Sequence, residues 1–134
     1  MRPPFGPKED GLPRFHIPSW LAVAWLATGC VLPSAGQAHA ILIGGTPAIG
    51  ATVAPGRLAI ELRFNSRIDR GRSRLRLVAP DQSVTVLPIS ADAPDEILRS
   101  EAELKPGAYT IRWQVLSVDG HITRGDVPFA ASGK

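Results

Sequence analysis

The stretch LKPGAYTIRWQV, Leu104–Val115, decides the fold. A Pro-Gly turn is followed by an alternating run in which Tyr109, Ile111, Trp113 and Val115 share one face. Thr110, Arg112 and Gln114 share the other. That period of two belongs to a strand with one buried side. A tyrosine placed two residues after the Pro-Gly pair, where a long strand begins, has the pattern of the tyrosine corner of Greek-key sandwiches. Trp113 then reads as a core aromatic between two sheets, with no ligand role.

Working outward, RLAIELRF repeats the pattern, with Leu58, Ile60, Leu62 and Phe64 inward and Ala59, Glu61 and Arg63 outward. Weaker strand signals lie in AILI, SRLRLVA, SVTVLPI, EILRSEA and DVPFAA. Proline and glycine recur every few residues, and no useful helical periodicity appears. About seven short strands in about 100 residues predict an all-β antiparallel Greek-key sandwich.

The chain has 134 residues, 44% hydrophobic and 20% charged, with a net charge of +3. Those values suit one globular domain and exclude a disordered chain. Arg72, Arg74 and Arg76 sit at period two, so all three point one way; such a basic patch could meet phosphate or a membrane surface, and a solvated strand face is the favoured reading. No aromatics are interleaved with them, as single-strand nucleic-acid binding would require, and no nucleic-acid partner is expected.

Residues 1–38 differ from the rest. Arg2, Lys8 and Arg14 precede the uncharged apolar run IPSWLAVAWLATGCVLP, and the small residues SAGQA follow. This is the layout of a secretory signal peptide, with cleavage expected after Ala38. The run is shorter than the ~20 residues of a membrane span. Cys30 is the single cysteine, so no intramolecular disulfide is possible. It lies in LATGC, an imperfect lipid-attachment signal, and ordinary cleavage is the favoured reading. Export to the periplasm would leave residues 39–134 as one domain with 12 Lys+Arg and 10 Asp+Glu.

That domain holds two histidines, His39 and His121, with no cysteine and no methionine. Thiolate zinc sites, thioether copper(I) sites and cysteine nucleophiles are therefore excluded. Ser117, Asp119 and His121 crowd one turn and offer no oxyanion hole, which argues against a hydrolytic triad. Cleavage after Ala38 would give His39 both a free amine and an imidazole, two groups able to close a chelate ring on a metal. His121 could add a third nitrogen and Asp119 an oxygen, a donor set suited to copper(II). On spacing alone, a solvated chain end and a plain Asp-Gly-His turn account for the same residues.

Taken together, HAILIGGTPAIGATV, IELRFNSRID, LKPGAYTIRW and VLSVDGHITRGDVPFA resemble the CopC family of periplasmic copper-binding proteins. The likeness spans nearly all of residues 39–134, in order. It implies a seven-stranded immunoglobulin-like sandwich binding one copper(II) ion at one end. His39 would ligate through amine and ring, His121 through its ring, with Asp119 an axial ligand or a partner behind the ligands. Many members place an acid after the LxF strand, where this chain has Asn65 and Ser66; Asp69 lies further on and is expected to face elsewhere. The missing acid would leave a ligand position to water. Without methionine, the copper(I) site of some relatives is not expected.

The resemblance implies a carrier or buffer acting in copper resistance, or delivering copper to a CopD-type inner-membrane partner, as a monomer. Two alternatives stand beside it. One is a structural or interaction sandwich with a degenerate metal site. The other is a histidine-brace oxidative enzyme, disfavoured because Phe64, Tyr109, Trp113 and Phe129 all fall at core-facing positions and leave no aromatic platform.

Overall fold

The computed structural model describes Gly11 and residues 39–133. The signal peptide expected over 1–38, Cys30 included, otherwise lies outside the described residues. The chain separates into two units, 1–35 and 36–134, and all the described strands lie in the second.

Eight strands follow in order: β1 (Leu42–Thr46), β2 (Thr52–Val53), β3 (Gly56–Phe64), β4 (Ile68–Val78), β5 (Val84–Leu87), β6 (Ile97–Leu104), β7 (Gly107–Ser117) and β8 (Ile122–Ala131). They form two sheets, ordered β1-β3-β6 and β2-β8-β7-β4-β5. The described residues contain no helix, and the all-β sandwich expected from the alternating runs is what forms. The strand count exceeds the expected seven by β2, a two-residue segment pairing parallel with Ala130 and Ala131 of β8. Two residues carry too little pattern to show in a sequence. The AILI strand is displaced: β1 begins at Leu42, and the Ile41 N–H bonds the Asn65 side chain instead of a ladder carbonyl.

The alternation in β3 and β7 builds the core. Ile60, Leu62, Phe64, Ile111 and Val115 are essentially inaccessible, and each such side chain contributes about 1.5–3 kcal/mol by leaving water. The Pro-Gly segment carries the chain from one sheet to the other, since β6 and β7 belong to different sheets. The Tyr109 hydroxyl closes this corner. It donates to the Lys105 carbonyl at 2.9 Å and accepts from the Lys105 N–H at 3.1 Å. Trp113 packs edge-on to Phe64 with centroids 5.1 Å apart. Its ring lies over Gly125, its cross-strand partner, where a Cβ would come within 2.4 Å of Cζ2.

Candidate metal centre

Three segments converge at one end of the sandwich: the start of the domain, the β3–β4 connection and the β7–β8 turn. Strands β7 and β8 pair from Gly107–Ala131 to Leu116–Ile122, so residues 118–121 must reverse the chain. Gly120 sits at φ +90, a conformation that glycine adopts without strain, and its N–H donates to the Ser117 carbonyl at 2.9 Å. The Ser117 N–H donates to the His121 carbonyl at 2.9 Å. The hairpin turn expected from Asp-Gly is therefore present.

Asp119 is held within that turn. One carboxylate oxygen, Oδ1, accepts from the Ser117 hydroxyl and from the His121 N–H at 3.2 Å. The other, Oδ2, lies 3.1 Å from His121 Nδ1. The Ser117 hydroxyl, with the His121 N–H and ring beside it, lowers the Asp119 pKa to about 2. Ionised Asp119 thus fixes the orientation of the imidazole through Nδ1 and leaves Nε2 as the ring nitrogen facing away from it.

His39 approaches from the start of the domain. Its ring meets that of His121 edge-on, centroids 4.8 Å apart, and both residues are exposed. The juxtaposition is secured from behind by Asn65, directly after β3. The Ile41 N–H donates to Asn65 Oδ1 at 2.7 Å, and the Asn65 N–H donates to the Ile41 carbonyl at 3.0 Å. The β3–β4 connection also meets the hairpin, where the Val118 N–H donates to the Arg67 carbonyl at 3.3 Å.

The three residues singled out in the sequence, His39, Asp119 and His121, thus lie together. Asn65 does not stand in for an acid: its amide oxygen is engaged by Ile41. Ser66 Oγ is buried and has no hydrogen-bond partner. Asp69 does face elsewhere, towards Arg72, whose N–H it accepts at 3.2 Å. The grips of Ser117 and Asn65 escaped the sequence reading. Their only sequence signals were a serine two residues before Asp119 and a polar residue ending the LxF strand.

Among the described residues, no three His, Cys, Asp or Glu side chains are arranged to hold a metal ion. Two imidazoles meet, while the oxygens of Asp119 are engaged within the turn. A third nitrogen would be the backbone nitrogen of His39, a peptide N–H in the full chain that becomes an amine only on cleavage after Ala38. Two exposed imidazoles beside such an amine fit a nitrogen-binding divalent ion.

Residues 42–132 match the family model for the CopC domain. The chain is 37% identical over 113 residues to the protein YobA of Escherichia coli K12, covering 81% of this chain and 90% of that protein. A Shigella flexneri YobA matches equally. Among solved structures, CopC from Methylosinus trichosporium OB3b superposes with a TM-score of 0.63 at 26% identity, over 70% of this chain and 94% of that one. PcoC, a copper resistance protein from Escherichia coli, superposes with a TM-score of 0.56 at 21% identity, over 69% of this chain and 99% of that one, and shares the fold.

Proposed function

We propose, from the premise that the chain belongs to the CopC family, that it is a periplasmic copper(II)-binding protein acting as a carrier or buffer. The observation that carries this reading is the meeting of His39 and His121 at an exposed end of the sandwich. His39 would offer its amine and ring, His121 its Nε2, and Asp119 would act on His121 from behind. Copper is cargo here, and the domain supplies nitrogen donors with an open approach.

Several features shape the proposed site. PcoC is described as methionine-rich, whereas this chain has a single methionine, Met1. Thioether ligation of copper(I) is therefore outside the reach of residues 39–134, and one copper(II) ion is the proposed load. Neither Asn65 nor Ser66 brings a carboxylate, which favours a water at any further position. Membership of a family with copper resistance relatives supports a place in copper resistance, or in delivery to a CopD-type inner-membrane transporter, for a monomeric carrier. A histidine-brace enzyme acting on polysaccharide would lack an aromatic platform, since Phe64, Tyr109, Trp113 and Phe129 are all buried.

The test is titration of the exported protein with copper(II), its amino terminus established by mass spectrometry. One-to-one tight binding with nitrogen hyperfine structure in the electron paramagnetic resonance spectrum is expected. An oxygen-only spectrum, or no tight binding, would favour the second reading, a structural sandwich with a degenerate metal site. That reading draws on the engagement of Asn65 with Ile41.

A further inference from the structure

The outer face of the five-stranded sheet shares β7 and β8 with the candidate metal centre but consists of different chemistry. Ten arginines fall within the described residues. Seven of them, Arg57, Arg63, Arg67, Arg70, Arg72, Arg99 and Arg112, face a carboxylate within ion-pair distance. The remaining three, Arg74, Arg76 and Arg124, do not, and all three line one groove of about 390 Å3 on this face. Arg74 reaches only the backbone carbonyls of Gly71 and Ser73, and Arg124 Nε donates to Gln114 Oε1 at 2.8 Å.

Strand register shows how the charges are ordered. One cross-strand row reads Val86, Arg76, Arg112, Asp126; the next reads Arg74, Gln114, Arg124. Arg76 stands directly opposite Arg112, a like-charge pair that weakens a sheet, and Asp126 alone answers four guanidinium groups in the groove. A row with Val84, Val78 and Pro128 borders this band on one side, and Leu116 paired with Ile122 borders it on the other. Val84, Val86 and Ile122 are more than half exposed. A purely solvated face would need neither the clustering of unpaired arginines nor the aliphatic borders.

We infer that this face docks on the surface of an anionic phospholipid bilayer. Guanidinium groups match phosphate oxygens in a two-pronged geometry. Cross-strand neighbours lie about 4.8 Å apart, and the arginines stand on two adjacent rows across three strands, so the groove they line is an open array along the sheet. Such an array suits many headgroups at once better than a single anion, and the bordering aliphatics suit the interfacial layer.

The test is partitioning of the exported protein onto phosphatidylcholine vesicles with and without phosphatidylglycerol. Binding is expected only with phosphatidylglycerol and should weaken as salt rises. The double variant Arg76→Gln/Arg124→Gln should lower partitioning about thirtyfold, roughly fivefold for each charge removed near the surface. Thermal unfolding of the same variant should be unchanged, because neither side chain is buried or ion-paired. Equal binding to both vesicle types, no binding to either, or an unaltered double variant would overturn the inference. Capture by poly-glutamate but not by phosphatidylglycerol vesicles would overturn it too, and assign the face to an acidic polypeptide. Copper titration of the double variant should match wild type, so failure here is distinguishable from failure of the copper reading.

Discussion

The imidazole of His39 meets the imidazole of His121 edge-on with ring centroids 4.8 Å apart, although 82 positions separate the two residues. Two side-chain grips steady the segments that carry them. Asn65 grips the chain two residues after His39, and Asp119 grips the ring of His121.

On the proposed reading Asp119 acts through His121 rather than as a free ligand, since its oxygens are engaged by Ser117 and His121. Asp119→Asn should weaken copper(II) binding about 10–100-fold, the usual effect of removing the partner behind a metal-binding histidine. His121→Ala should cost more, since a donor is lost outright. Isothermal titration of both variants against wild type checks the order.

The Ser117 hydroxyl is the foremost cause of the low Asp119 pKa. Carboxyl-carbon NMR should find the Asp119 midpoint at about 2 in the wild type and higher in Ser117→Ala. Because the folded pKa lies below the unfolded value of about 3.9, the linked stabilisation is full above about pH 4. It is lost as pH falls through about 2. Denaturation of the two proteins should therefore differ most at neutral pH and converge in strong acid.

Asn65 fixes the approach of His39. Asn65→Ala removes the acceptor for the Ile41 N–H and should cost about 0.5–1.5 kcal/mol of stability, measured by urea unfolding. Copper affinity should fall with it, while Asn65→Asp, which keeps an acceptor at that point, should retain most of the stability.

Gly125 is demanded by Trp113. Gly125→Ala would drive a methyl to within 2.4 Å of the indole, and overpacking of this kind costs about 1–3 kcal/mol. A lowered melting temperature and an altered Trp113 fluorescence spectrum are expected.

Much of this was legible in the sequence, for identifiable reasons. The alternation through Leu58–Phe64 and Tyr109–Val115 named the inward faces correctly, since a buried sheet face leaves no choice of parity. The tyrosine corner could be read because its spacing is set by the turn itself. Strand β2 was hidden, as parallel pairing of Thr52 and Val53 with β8 depends on the rest of the fold. The site was legible only in part. His121 and Asp119 stood out within their turn, but their meeting with His39 rested on family resemblance, because nothing in spacing links residues so far apart. The grip of Asn65 on Ile41 is a side-chain contact across 24 positions, and no local pattern announces it.

On the proposed reading, processing completes a nitrogen-donor copper site whose other half, His121 oriented by Asp119, is built into the fold. This is tested most directly by comparing copper(II) affinity of the chain beginning at His39 with the same chain carrying one extra alanine before His39. Tight one-to-one binding is expected in the first and a sharp loss in the second, where a peptide bond removes the amine. Equal affinity in the two proteins would contradict it.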